Sequence, residues 1–293
     1  MPTGRAVLFR LATSASRFER AARAVPGGER WAWNKASRYV AGTTSGDAQT
    51  TVQQLAERGV RTSIDQFGEL VQDAATAERV ADDYVKLAGE LTTAPEATWL
   101  SVDLSHLGLD LDPQRCAEHL AAIASVLPAG RRIQVGAEDY DRADAVLACV
   151  LTVAGRGLAD RLGGTVQANL HRAAGDLDQL VSAGVHVRLV KGAYVEPPER
   201  ALPYGEATDI AYLRLAHRLA ESDVPFALAT HDGVLREALL TALGPRPIEQ
   251  LLGVRPDVLD DLTARRVPVR VYVPFGTDWF RYWMRRVAES RGA

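Results

Sequence analysis

The residues best placed to do chemistry lie near the end of the chain, in YVPFGTDWFRYWMRR at 272–286. Proline and glycine turn the chain after a β-prone run, and Thr277 or Asp278 is suited to cap a helix beginning at Trp279. On such a helix Tyr282, Arg285 and Arg286 fall at i, i+3 and i+4 and share one face. Two adjacent guanidiniums repel unless an anion lies between them, and their planar donor forks suit a carboxylate bidentately. The plainer alternative is an arginine pair solvated on an exposed helix.

Other polar groups recur wherever a β-prone run stops: Asp65 and Glu69, Asp103 and His106, Glu138 and Asp139, Gln167, Lys191 and Tyr194, and Thr230 with His231 and Asp232. Strand ends meet solvent, so any one of these can be mere surface; the set carries more weight. Three familiar chemistries fit it poorly. The six histidines form neither His-x-His nor His-Glu-x-x-His, which argues against a metal centre. GTTSG at 42–46 has neither the spacing nor the preceding strand of a nucleophile elbow, and no Gly-x-x-x-x-Gly-Lys phosphate loop occurs. What remains is a set of cationic and amide donors suited to an anionic ligand or a large polar cofactor.

The elements that must position these groups are legible as a rhythm. β-Prone runs recur at 60–67, 98–104, 131–136, 164–170, 185–191, 225–230, 248–253 and 268–274. Between them lie segments with apolar residues at helical spacing, for example 77–92 and 141–162. Eight such units without a dividing linker predict an α/β fold, a closed (βα)8 barrel. A doubly wound open sheet is the rival, but no Gly-x-Gly-x-x-Gly follows the first strand. In a barrel, function belongs at the C-terminal strand ends, where the polar set falls. The chain divides into an N-terminal helical arm, 1–45, expected to cover the barrel base, and a barrel, 46–293, whose last helix lies over the mouth.

Composition narrows the rest. The 293 residues are 47% hydrophobic and 24% charged, as in an ordinary globular protein. A formal charge of −3, with basic residues spread along the chain, provides no field for nucleic acid. Cys116 and Cys149 sit in apolar helical surroundings and read as buried free thiols in a reducing, cytoplasmic setting. The first 25 residues carry arginines and serines with no acid before Glu19, and the arginine spacing fits an amphipathic helix better than a targeting signal. No apolar run reaches the roughly 18 residues of a spanning helix, so any membrane contact must be peripheral, at the inner face.

RLVKGAYVE (188–196), ATHDG (229–233), QLLGVRPD (250–257) and YVPFGTDWFRYWMRR (272–286) together resemble the proline dehydrogenase family, with weaker likeness in RYVAG (38–42) and SIDQFGE (63–69). That resemblance implies a flavoenzyme that oxidises L-proline to 1-pyrroline-5-carboxylate by hydride transfer to FAD, passing electrons on to a quinone or other acceptor. By position it implies that Arg285 and Arg286 hold the substrate carboxylate, and that Tyr272, Tyr282, Leu251 and Tyr194 pack its ring. It implies further that Arg188, Val190, Gly192, Gln167, Thr230, His231 and Asp232 surround the FAD, the last at a position where many members carry Asn.

Two positions depart from the family pattern. SVDLS places Asp103 where the family carries a lysine that joins the arginines at the carboxylate, and Gly136 stands where it carries an acid. Their joint change suggests that Asp103 fills the vacated space and orients an arginine. An anion about 4 Å from a substrate carboxylate would cost roughly 4 kcal/mol at an effective dielectric near 20, about a thousandfold in binding. Either Asp103 is turned into a salt bridge with Arg285 or Arg286, which keeps proline as the leading substrate, or the substrate carries a positive or hydrogen-bond-donating group there that proline lacks. The alternatives are a different imino acid or amine accommodated by Asp103, or a flavin-binding protein without catalysis.

Overall fold

The computed structural model describes residues 25 and 27–290, with side chains except at 281, 285 and 287–290. The amphipathic helix expected over the first 25 residues lies outside this range, apart from Val25.

Eight parallel strands close into a barrel in chain order: β1 (Arg61–Gln66), β2 (Thr98–Val102), β3 (Ile133–Val135), β4 (Leu162–Gln167), β5 (His186–Val190), β6 (Phe226–Ala229), β7 (Ile248–Leu251) and β8 (Val269–Phe275). Each overlaps an expected run, most of them shortened by one to three residues at an end, while β4 begins two residues earlier than expected and β8 ends one residue later. Closure is made by six paired positions between β1 and β8, from Arg61 opposite Arg270 to Gln66 opposite Phe275. The strands are buried on both faces, as parallel strands under helices must be, which is why they read as nearly continuous apolar runs.

Helices α1 (Gly28–Ala36) and α2 (Ser45–Glu57) precede β1. α2 begins at a reciprocal Thr44–Asp47 capping box. It packs against both β1 and β8, in the groove where a helix following β8 would ordinarily lie. Helices α3 (Ala74–Glu90), α4 (Pro113–Val126), α5 (Tyr140–Val153), α6 (Ala173–Ser182), α7 (Glu206–Ala220), α8 (Gly233–Leu243) and α9 (Pro256–Ala264) cross over from each strand to the next. With the outer groove already filled, α10 (Trp279–Ser290) packs against α1 instead.

Two expectations need correction. The helix read as continuous over 141–162 ends at Val153 and passes through a π turn (Ala154–Leu158) and a 3₁₀ turn (Ala159–Arg161), because Gly157 adopts φ 84°. The described part of the N-terminal arm lies at the mouth, not the base. Ala41 donates its N–H to the Pro274 carbonyl, and Gly276 donates to Gly42, both at the C-terminal end of β8. Gly253, just beyond β7, has φ 72°, and any Cβ there would collide with the Arg38 carbonyl. Residues 38–42 thus run over the rim.

A satellite apolar cluster forms where α1 meets α10. Ala32, Ala36 and Val40 bury against Trp279, Phe280 and Trp283. Trp33 meets Trp279 edge-on at 5.0 Å, and Trp31 meets Trp283 at 6.2 Å. At the opposite end, the base is plugged by Trp99, with Arg270 at 3.5 Å over its ring and His186 edge-on at 5.1 Å.

Candidate active site

At the mouth, the aromatic wall is continuous. Tyr272, on β8, lies 6.1 Å from Tyr282 of α10, and Phe67 packs on Tyr282 at 4.9 Å. The Arg286 guanidinium sits 4.7 Å from the Tyr282 ring centroid, an attractive cation–π distance. Tyr282 and Arg286 are thus adjacent, as their helical spacing requires. The side chain of Arg285 lies outside the described residues. Leu251 is paired with Tyr272 across β7 and β8 and is half-buried, beside the same wall. Tyr194 sits on the other side of the mouth, where its hydroxyl donates to the Ala137 carbonyl at 3.2 Å.

Beneath the wall is a group the expected site left in the background. Asp65, at the end of β1, accepts hydrogen bonds from the Tyr272 and Tyr84 hydroxyls, both at 2.7 Å. Burial pushes its carboxyl up to about 6, against the two tyrosine donors and the charge of Arg188. Tyr84, fully buried on α3, has no motif around it; only its place on the apolar stripe of a periodic helix hinted that it points inward.

The Asp103 Oδ1 atom occupies the space that a side chain at Gly136 would need: a Cβ there would collide with it. Burial first, and then the charge of Asp65, raises the Tyr84 and Tyr272 phenols, and Asp103 lies near enough for its charge to add to both. Glu138 is turned away, accepting the Ser105 N–H at 2.8 Å and lying near Arg142. His106 is buried under the β1 loop, where desolvation pulls it down to about 4.

The cationic and amide groups gather along β4 to β7. Arg188 donates to Thr165 Oγ1 at 3.2 Å and lies 3.5 Å from Glu249, a buried carboxylate on β7 that sequence reading passed over. Gln167 donates to the Glu138 carbonyl at 2.8 Å and is paired with Val190 at the end of β5. Gly192 has φ 114°, and a Cβ there would strike the side chain of Asn169, another unforeseen member. Lys191 bridges Asp209 at 2.5 Å and Asp232 at 3.1 Å. Although burial pulls its ammonium down, hydrogen bonds to those carboxylates leave it raised.

Asp232 is already engaged. Its carboxylate caps α8 by accepting the Val234 and Leu235 N–H groups while pairing with Lys191. It is held low because, although burial raises it, these donors outweigh the burial. Thr230 accepts the Asp232 N–H at 3.1 Å and so shapes the same turn. His231 Nε2 accepts the Leu251 N–H at 3.3 Å, which places the proton of a neutral imidazole on Nδ1. Burial, then the positive charges of Arg286, Arg236 and Arg255, hold this histidine down to about 4. Arg286 is therefore within electrostatic reach of the barrel interior.

Among the described residues no group of three His, Cys, Asp or Glu side chains is arranged to hold a metal ion, and no helix is long and apolar enough to cross a membrane. Cys116 and Cys149 are buried and free.

An eight-stranded parallel barrel with an aromatic and cationic mouth, overlain by its own last helix, defines the class: a (βα)8 protein with a built rim site. Residues 48–293 match the family model described as proline dehydrogenase. The chain is 33% identical over 271 residues to proline dehydrogenase of Deinococcus radiodurans, covering 88% of this chain and 87% of that one. It is 34% identical over 262 residues to proline dehydrogenase 1 of Bacillus subtilis strain 168, covering 87% and 86%. The chain belongs to the proline dehydrogenase family.

In fold it resembles proline utilization A from Bdellovibrio bacteriovorus, in a structure inactivated by N-propargylglycine, with a TM-score of 0.80 at 17% identity. It likewise resembles a variant of proline utilization A from Bradyrhizobium japonicum, with a TM-score of 0.73 at 23% identity. Each likeness covers 88% of this chain but only 32% and 31% of those longer proteins.

Proposed function

We propose that the chain oxidises L-proline to 1-pyrroline-5-carboxylate with FAD as the hydride acceptor, the electrons passing on to a quinone or another carrier. Its curated relatives named proline dehydrogenase are matched over most of both lengths, which favours proline over another imino acid or amine and catalysis over flavin binding alone. The observation that carries the reading is the Tyr272–Tyr282–Arg286 wall, which joins flat apolar surface to a planar cation at the end of β8.

The residues present fit the proposed cofactor. Asn169 Oδ1, Glu249 Oε1 and His231 Nδ1 are buried without a protein partner, along strands β4, β6 and β7 or just beyond their ends. Such atoms are costly unless a ligand or water pairs with them. Gly192 leaves room beside Asn169 that any side chain would fill. Arg188, Val190, Gly192, Gln167, Thr230 and His231 would hold the FAD, with Asn169 added and Asp232 supporting it through α8 and Lys191. FAD, when bound, accepts the hydride from the ring carbon next to the proline nitrogen.

Arg286, with Arg285, fixes the substrate carboxylate, and Tyr272, Tyr282 and Leu251 fix the plane of the ring. Such positioning supplies much of the rate acceleration in a hydride transfer. The Nδ1–H of a histidine that stays neutral and the guanidinium of Arg188 favour electron density accumulating nearby.

Purified protein should show flavin absorption bands that bleach on anaerobic addition of proline. A yellow protein that proline leaves oxidised would sink the reading. Arg286→Lys should raise the KM for proline by about 10- to 100-fold, the loss of one charge-assisted pair, with a smaller change in kcat.

A further inference from the structure

We infer that Asp65 accepts the proton that the substrate ammonium must lose, and that Tyr272 relays it. The inference rests on proline oxidation as proposed above and adds an acid–base step to it. A secondary ammonium is charged at neutral pH, and its nitrogen has no lone pair with which to form a C=N bond. A hydride can leave the neighbouring carbon only once that proton is gone.

The placement of Asp65 suits such an acceptor. It is 6% exposed at the end of β1, and its Oδ2 is 2.7 Å from the Tyr272 hydroxyl. Tyr272 is half-buried and belongs to the aromatic wall, so it stands between the buried carboxylate and the mouth. On the far side, Tyr84 donates to Oδ1 at 2.7 Å, while its own oxygen accepts the Gln66 N–H at 3.2 Å, which fixes the orientation of the carboxylate.

The charged and titratable groups around Asp65 are Tyr84 on α3, Tyr272 on β8, Arg188 on β5, Asp103 at the end of β2, Tyr282 on α10, and His106 edge-on to Tyr84 at 6.4 Å. Other acceptors nearby are engaged. Asp232 caps α8 and pairs with Lys191; Glu138 accepts the Ser105 N–H; His231 is surrounded by arginine charge, with Nε2 already accepting from Leu251. Desolvation places Asp65 near 6, so at neutral pH it is ionised yet more basic than an ordinary carboxylate.

The step balances without electron loss. The substrate N–H bond breaks as an O–H bond forms on Tyr272 Oη, while the original Tyr272 O–H bond breaks as one forms on Asp65 Oδ2. Tyr272 is unchanged, Asp65 becomes a neutral acid, and the substrate becomes an amine. Its freed pair forms the C=N bond when the hydride departs with its own pair.

The test is the pH profile of kcat/KM for proline with a dye acceptor, which reports groups of the free enzyme. Wild-type protein should lose activity below pH about 6. Asp65→Asn should lower kcat/KM by about 100-fold or more, the usual scale of general-base catalysis, and abolish that acid limb. Tyr272→Phe should do the same. Tyr84→Phe removes a donor to the charged form, so it should move the limb to higher pH. A second readout needs no turnover: a carboxyl infrared band titrating near 6 should vanish in Asp65→Asn and shift upward in Tyr84→Phe. An acid limb that persists in Asp65→Asn, or that vanishes only in Asp103→Asn, overturns the proposal. Wild-type protein inert toward proline would instead overturn the functional reading beneath it.

Discussion

Gly136 and Asp103 show how two substitutions can be one structural event. The Asp103 carboxylate occupies the volume that a side chain at Gly136 would claim, so each residue makes the other possible. Gly136→Ala should therefore cost about 1–3 kcal/mol by overpacking, measured by urea unfolding. Asp103→Ala/Gly136→Ala should cost less than the sum of the two single changes, with a coupling of roughly 0.5–3 kcal/mol. Strict additivity would show that the two do not compete for space. The sequence exposes the paired departure because both positions fall within motifs at strand ends. It conceals Asn169, Glu249 and Tyr84, which have no motif of their own and join the site only through contacts made across the barrel: Asn169 against Gly192, Glu249 against Arg188, Tyr84 against Asp65.

At the scale of elements, the strands were legible because double-sided burial writes itself as apolar runs, and α10 because FGTD ends one element and begins another. The role of α1 was not. GERWAWNKA mixes charged residues with small and aromatic ones and names no partner, yet Ala32 and Ala36 are fully buried, and Trp33 meets Trp279 across the interface. An interface formed between residues some 250 positions apart leaves no local periodicity to read. Because α10 carries Tyr282 and Arg286, α1 braces the helix that bears two of the proposed substrate-binding residues, and Tyr282 packs against the same cluster. Trp279→Ala should then raise the KM for proline by about 10- to 100-fold, the scale of an ångström-sized misplacement, more than it lowers kcat. Tryptophan fluorescence should shift to the red as Trp33 becomes hydrated. A KM unchanged in a folded variant would show that α10 holds its place by other contacts.

For the whole molecule, acid stability follows from what the barrel buries. His106 and His231 are held near 4, chiefly by burial, and His186 lies well below its ordinary value in the plugged base, between burial and the charges of Arg132, Arg270 and Arg188. The unfolded chain takes up protons at these positions from pH about 6.5 downward, while the folded protein does not. Stability is therefore lost as pH falls from about 6.5 toward 4, by about 3 kcal/mol for each of the first two groups. Asp65 works in the opposite sense. Its folded value is raised to about 6 from 3.8, so its contribution is fully present below 3.8 and disappears as pH rises through 6. Ionised Asp65 thus costs the native state about 3 kcal/mol at neutral pH, a strain retained where a basic carboxylate serves catalysis. Asp65→Asn should accordingly melt higher than wild type at pH 8. It should also lose stability more steeply between pH 6 and 4, where nothing offsets the three histidines. Thermal unfolding of both proteins from pH 4 to 8 measures this, and parallel curves would show that Asp65 titrates as an ordinary surface acid.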